Sequence, residues 1–369
     1  MEHTRVIFLA LLRSALWGTA AEVPSDIDWN EVMKLAKQQT VIGLMADAIM
    51  RLPEEKRPDS DIMRKLQTYV AMNIQARMLL TSKLSQSLKV LREAGLRPVL
   101  FKGHGLAMNY PEPLSRQCGD IDLYIGKRNF DKAIEVCTGY FGAGEHDTKS
   151  VKHYHLNTQG ASVELHRIAE VMPGLIANRR YQKWTVENLE EGQLRNVEID
   201  GVNVDLPPYD FDPIYVLYHA WHHFMNGGIG LRQVCDWTMY IHKWHDKIDV
   251  AKLEANLRSF GLTKVWRLFA GIAVRHLGLP AEECPLYSGK YLSKADKVLD
   301  IIMNEGNFGQ HSQWKKVPRP KEYTKGKLHA FKMTTGRYMT ILSICPFDIM
   351  RAWFTYLFVG IYMYFVPRR

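Results

Sequence analysis

Residues 101–126 read FKGHGLAMNYPEPLSRQCGDIDLYIG, and two aspartates, Asp120 and Asp122, fall two positions apart in the second apolar run of that stretch. Residues i and i+2 of a strand project from the same face, so these two carboxylates point together. An unpaired buried charge is costly, and two carboxylates a few ångströms apart repel unless a cation stands between them. Hard oxygen ligands suit Mg²⁺ or Mn²⁺, so a bound divalent ion accounts for the pair.

The flanking residues extend this reading. The turn KGHG follows the apolar strand RPVLFK directly, and Gly103 and Gly105, with His104 between them, would let backbone N–H groups come close to a phosphate near the start of the next helix. Lys102 and Arg116 would bring positive charge to the same anion. A third carboxylate, Glu164 in SVELH, lies in another predicted strand with His166 two residues on. If the two strands are neighbours, three acids meet at one site. The turn matches neither the G-x-x-x-x-G-K-[ST] phosphate loop nor the G-x-G-x-x-G dinucleotide fingerprint.

Periodicity places these segments in an α+β chain. Residues 26–94 repeat their apolar positions at helical spacing, broken at PEEKRPDS, and Gly95 ends the long second helix. The order then runs strand, helix, strand, helix, strand, strand, followed by a hairpin over residues 194–206 turning at Asp200-Gly201. Helices are expected over residues 213–225, 231–245, 250–260 and 262–277, with more from about residue 293. The expected organisation is an N-terminal helical region (1–95), a mixed-sheet unit (96–207) and a C-terminal helical region (208–369). The apolar N-terminal stretch RVIFLALLRSALWG is interrupted by Arg13 and is read as a first helix rather than a signal peptide.

Together, VLFKGHGLAMNYPEPLSRQCGDIDLYI, VELH, IDGVNVDLPPYD and HAWHHFMNGGIGLRQVCDW resemble the DNA polymerase beta-like nucleotidyltransferase superfamily. They are most similar to an uncharacterised bacterial nucleotidyltransferase family in which Lys-Gly replaces the usual Gly-Ser. The resemblance implies a nucleotidyltransferase-fold sheet flanked by helices, with Asp120, Asp122 and Glu164 as catalytic metal ligands. It also implies that Lys102, Gly103 and Gly105 belong to a triphosphate-binding turn. The implied reaction moves a nucleoside monophosphate from an NTP to a hydroxyl acceptor, a small molecule, sugar or protein, and releases pyrophosphate.

Other features remain open. His219, His222 and His223 share a predicted helix, but no Glu falls between them as in His-Glu-x-x-His, so packing or a wall of the acceptor pocket is preferred to zinc. His166, His219, His223, Arg232 and Asp236 are candidate acceptor-pocket residues, and Arg232 and Asp236 stand at i,i+4, where a helix salt bridge forms. The net charge of +9 favours anionic partners, although no specific nucleic-acid motif occurs. Five scattered cysteines without a Cys-x-x-Cys pair point to a reduced, cytoplasmic setting. Residues 315–337 hold eight Lys/Arg and one acid, Glu322, and residues 352–366 are uncharged and largely apolar. That run is shorter than the roughly 20 residues a membrane span needs, leaving a packed helix or a peripheral membrane contact at the inner face. Besides the transferase, two alternatives stand: a nucleotide-binding regulatory protein without turnover, and a membrane-associated scaffold.

Overall fold

The computed structural model describes residues 2–142, 144, 147–158, 160–312, 320 and 322–365. Helices α1 (Glu2–Trp17), α2 (Trp29–Gln38) and α3 (Ile42–Met50) lead into the 34-residue α4 (Ser60–Glu93). Asp59 caps α4 by accepting from the Asp61 and Ile62 amides, both at 2.9 Å. At its other end the Leu96 amide bonds the Leu91 carbonyl and Gly95 bonds Arg92, the paired 6→1 and 5→2 closure of a Schellman motif. The chain then turns sharply into β1 (Val99–Phe101) and the short α5 (Gly103–Ala107).

Next come β2 (Ile121–Tyr124), α6 (Phe130–Phe141), β3 (Thr148–Lys149), β4 (His153–Thr158) and β5 (Ala161–His166). They form a mixed five-stranded sheet in the order β1-β2-β5-β4-β3, with β2 and β5 parallel and the other pairings antiparallel. The fold is α+β, as expected. Asp120 stands one residue outside β2 rather than within it. Helix α7 (Leu175–Leu189) follows β5 in a stretch where the sequence suggested no element, and the expected hairpin forms from β6 (Arg195–Ile199) and β7 (Val202–Leu206), with Asp200 and Gly201 at φ 50° and 77°.

Helices α8 (Asp212–Asn226), α9 (Leu231–Trp244), α10 (Val250–Phe260), α11 (Thr263–Ile272), α12 (Leu292–Glu305), α13 (Tyr323–Ile341) and α14 (Pro346–Phe365) complete the chain. The basic residues Lys315, Lys316, Arg319 and Lys321, and Val366 at the end of the apolar run, lie outside the described residues. Among those described, no helix is long and apolar enough to cross a membrane. All five cysteines are free and buried.

The two faces of the sheet differ in chemistry. Leu100, Ile121, Leu123, Leu156, Val163 and Leu165 point to one side and pack with Leu80, Leu84, Leu88 and Leu91 of α4 and Phe130, Ala133 and Cys137 of α6. Ile199, Val204 and Leu206 of the hairpin join that layer. The alternate residues, Phe101, Asp122, Tyr124, Glu164 and His166, face the C-terminal helices. One apolar cluster runs from α1 through Phe101 and Tyr124 to α8, α9, α11 and α12, so the N- and C-terminal helices share a core. Phe101 joins this core to the sheet, with its ring centroid 4.4 Å from Tyr215, 5.5 Å from Tyr124 and 6.0 Å from Phe211. Emptying a site of that kind costs about 3–5 kcal/mol. Phe101→Ala is therefore expected to lower unfolding stability by about 3–5 kcal/mol in urea titrations, whereas a loss below about 1 kcal/mol would mean that helices and sheet are held together elsewhere.

Candidate active site

Where β2 and β5 run side by side, Asp122 and Glu164 occupy the same register position, and Tyr124 pairs with His166 two residues on. The parallel pairing that the sequence left conditional thus brings two of the three acids together. Asp122 is almost fully buried, with 1% of its side chain exposed against 20% for Glu164. Its Oδ1 accepts from Lys102 Nζ at 3.0 Å and from His166 Nε2 at 2.7 Å, and the same His166 nitrogen lies 3.4 Å from Glu164 Oε2.

Burial alone would suppress every charge in this cluster, but the groups hold one another ionised. Burial raises the Asp122 pKa, yet Lys102 and His166 outweigh it and leave the carboxyl well below its usual range. Burial likewise opposes charge on Lys102 and His166, and the neighbouring carboxylates raise both above their ordinary values. For Glu164, burial and Asp122 raise the pKa, and the hydrogen bond from His166 brings it below normal. Asp120 behaves differently. Repulsion from Asp122, then burial, raises its pKa, and no hydrogen bond or ion pair reaches its carboxylate among the described residues.

Lys102 reaches Asp122 because the chain leaves β1 in an unusual conformation, with Lys102 at φ 47° and Gly103 at φ 40°. A non-glycine residue in that region stores strain of roughly 1–3 kcal/mol and persists only where surrounding contacts hold it. Here the ion pair to Asp122 is one such contact. Lys102 Nζ also lies 3.4 Å from His219 Nε2, and His219 Nδ1 lies 3.3 Å from Glu170 Oε2. Since an ammonium can only donate, His219 accepts through Nε2 and turns its Nδ1–H to Glu170. Buried Glu170 also takes Lys152 Nζ at 3.1 Å. It follows β5 in an aperiodic stretch, and no sequence signal marked it.

The acids open onto a cavity of about 250 Å³ whose walls include Lys102, Gly103, Arg116, Gly119, Asp120, Asp122, Lys152, His153, Glu164, His219, His223, Arg232, Gln233, Asp236 and Phe308. Helix α8 contributes one wall through i,i+4 spacing: Tyr215 packs on Phe101, His219 meets Lys102, and the His223 ring sits 5.8 Å from Phe308. Burial, with Lys102 as the next cause, keeps His219 well below the ordinary histidine range and His223 at about 4, so both are neutral walls. The three α8 histidines do not gather as metal ligands. Among the described residues the one such group is Asp122, Glu164 and His166, whose ligand atoms lie within 4.8 Å of one another. Two carboxylates and an imidazole at that spacing suit a divalent cation, which would displace the hydrogen bonds that His166 and Lys102 now supply.

Three residues of the glycine turn and its loop sit differently from the sequence reading. His104 is buried away from the cavity, with Nε2 3.2 Å from Thr81 Oγ1 on α4. Gly105 backs onto the hairpin, where a Cβ would stand 2.9 Å from Leu206 Cδ2. Arg116 lines the cavity but is fully engaged: Nε and Nη2 grip Asp236 at 3.0 and 2.7 Å, and Tyr110 Oη donates to the same carboxylate at 2.8 Å. The expected Arg232–Asp236 helix pair is thereby replaced. Arg232 instead donates through Nη1 to the Gln117 carbonyl at 2.9 Å, its buried Nε has no partner, and it makes no ion pair among the described residues. Sequence reading also passed over Lys152, His153, Gln233 and Phe308, which flank elements or loops rather than forming a motif.

His104 carries a consequence for acid stability. Burial and nearby Arg77 push its pKa from 6.5 down to about 4. The unfolded chain therefore binds this proton more readily, and the contribution is full above about pH 6.5 and is lost as pH falls toward about 4. At about pH 5 the loss from this group is about 2 kcal/mol relative to neutral pH. His104→Gln is expected to reduce the acid destabilisation seen in denaturant titrations at about pH 7 and about pH 5 by that amount; equal losses in variant and wild type would overturn the assignment.

No curated protein and no solved structure matches this chain. A protein family does, over residues 25–278, a span that contains all three acids, the Lys102 turn and the whole of α8 and α9. By that match the chain belongs to the family described as uncharacterised nucleotidyltransferase.

Proposed function

We propose that the cavity is a Mg²⁺-dependent site that transfers a nucleoside monophosphate from an NTP to a hydroxyl acceptor. The observation that carries this reading is the register of Asp122 and Glu164 on adjacent parallel strands, with Asp120 at the same cavity. Asp120, Asp122 and Glu164 would hold the metal, taking over carboxylate oxygens that His166 now meets. Bound there, a divalent ion supplies charge neutralisation for the phosphates and lowers the pKa of an acceptor hydroxyl. Lys102 and Arg232 provide cationic donors for the triphosphate, since Arg116 is occupied by Asp236 and braces the wall. In the transfer, the acceptor oxygen forms a bond to the α-phosphorus while the bond to pyrophosphate breaks. The hydroxyl proton passes to a cavity carboxylate, and Glu164, the more exposed of the two register-paired acids, is the one placed to take it.

Calorimetry with each NTP, with and without Mg²⁺, is the direct test. Wild type should bind nucleotide only with Mg²⁺, and Asp122→Asn with Glu164→Gln should weaken that binding by more than about tenfold. Unchanged binding in the double variant would sink the metal assignment. Binding without pyrophosphate release across an acceptor screen would instead favour a regulatory nucleotide-binding protein, which the Lys102–Asp122 pair, standing where a metal would, also fits.

A second reading concerns where a cytoplasmic transferase of this kind works. On α14, Phe347, Met350, Phe354 and Phe358 recur at spacings of three and four and are 86%, 47%, 45% and 66% exposed. Exposed aromatics along one helical face beside basic α13 suit the interfacial zone of an anionic membrane. Co-sedimentation with phosphatidylserine vesicles is expected for wild type and is expected to disappear in Phe347→Ser/Phe354→Ser/Phe358→Ser with calorimetric nucleotide binding intact. Equal pelleting of both proteins would remove this reading.

A further inference from the structure

Among the described residues, Phe308 is the one phenylalanine, tyrosine or tryptophan that lines the cavity, and it stands outside the hydrophobic core. It belongs to a short turn, Asn307–Gly309, that follows α12 and lies outside the span matched by the family. Its backbone stands at φ 53°, ψ 22°, and the residue is 46% exposed. A phenylalanine placed for packing would be neither strained nor open to solvent, because left-handed backbone costs about 1–2 kcal/mol and the hydrophobic gain is incomplete.

The turn is held from several sides. Gly309 lies so close to α8 that a Cβ there would stand 2.1 Å from the Gly227 carbonyl oxygen. Gln233 Nε2 donates to Asn307 Oδ1 at 3.2 Å, and the His311 amide bonds the Glu305 carbonyl at 3.1 Å. Glu305 is itself paired with Arg337 of α13, which donates to the Phe224 carbonyl at 2.8 Å. These contacts hold the ring beside His223 at an interplanar angle of 77°, and the residue lines the cavity while remaining 46% exposed. Beside it, Gln233 has used its amide N–H on Asn307, and its buried Oε1 has no partner. An exposed aromatic ring and an unsatisfied acceptor lining one cavity call for a planar ring bearing an amino group, since a buried acceptor without a partner is costly and stacking is insensitive to ring identity.

We propose that Phe308 stacks the base of the bound nucleotide and that Gln233 Oε1 accepts from the base's exocyclic amine, selecting the amino-bearing bases, adenine and cytosine among them, over uracil. This rests on the nucleotide reading of the cavity, and it assigns base stacking to a segment outside the matched family span, with Gln233 inside it. The phosphates would then lie toward Lys102, Arg232 and the acids, which line the same cavity.

The test compares Mg²⁺–ATP, Mg²⁺–CTP, Mg²⁺–UTP and Mg²⁺–tripolyphosphate by calorimetry on the full chain. Tripolyphosphate has the charge of the nucleotide and no base. Phe308→Ala is expected to weaken ATP and CTP binding roughly tenfold and to leave tripolyphosphate unchanged, while Phe308→Trp keeps nucleotide affinity. Wild type should prefer ATP and CTP to UTP, and Gln233→Leu should erase the preference without changing tripolyphosphate binding. If Phe308→Ala leaves ATP and CTP affinity unaltered, or weakens tripolyphosphate equally, the base assignment is overturned while the phosphate and metal site stands. If wild type binds neither nucleotide nor tripolyphosphate, the nucleotide reading itself falls and takes the base assignment with it.

Discussion

Asp122 is a carboxylate almost sealed from water, and it is tolerable there only because Lys102 and His166 both meet its Oδ1 within 3.0 Å. Removing one partner from a buried pair of this kind typically costs about 3–5 kcal/mol, since the remaining charge is left uncompensated. Much else follows from satisfying that one group. Lys102 must leave β1 with positive φ to reach it, Gly103 must continue the same turn, and His219 must stand where the ammonium can also donate to it. The stacking of Phe101 on Tyr215 brings α8 onto the sheet at the height where His219 can do so. A metal ion arriving at Asp122 and Glu164 would compete with the lysine and histidine for the same oxygens, so the cluster is electrostatically prepared for a cation without being an unpaired pair of acids.

The cationic wall shows how tertiary geometry sorts equivalent charges. By sequence logic Arg232 was the partner of Asp236 through i,i+4 spacing on α9, and Arg116 was expected at the phosphates. Arg116 takes it because it enters from the side and meets both carboxylate oxygens at once, with Tyr110 completing the set. The bidentate grip and the Tyr110 hydroxyl together satisfy both oxygens of this buried carboxylate, and charge-assisted bonds in that fork geometry are the stronger kind. Arg232 makes no ion pair among the described residues, and its pKa is lowered first by burial and then by Arg116. The arginine expected on phosphate became a brace, and the one expected in a salt bridge makes no ion pair among the described residues.

The C-terminal third adds what the matched family span does not contain. Phe308, in the turn between Gly306 and Gly309, lines the cavity, and the Arg337–Glu305 pair ties the end of α12 just before that turn to α8 through the Phe224 carbonyl. Sequence gave little warning of it. The segment read as a Gly/Pro-rich connection, because a single exposed Phe held in left-handed backbone has no periodicity to betray it.

Alternation and local chemistry were enough to determine the mixed sheet, the Asp200-Gly201 hairpin, the Gly95 helix end and the candidate acids, because these depend on residues a few positions apart. Asp120 and Asp122 declared a cation face by themselves; Glu164 did so only if its strand lay next to β2. Tertiary structure decided that adjacency through parallel pairing across an intervening helix and hairpin, a contact of long sequence separation with no local signature. It likewise turned His104 and Gly105 into packing residues, exchanged the partners of Asp236, inserted α7 and brought Glu170, Gln233 and Phe308 to the site. Each of those outcomes depends on which buried charge finds the better partner across the fold, and that competition is settled only when the core has excluded water.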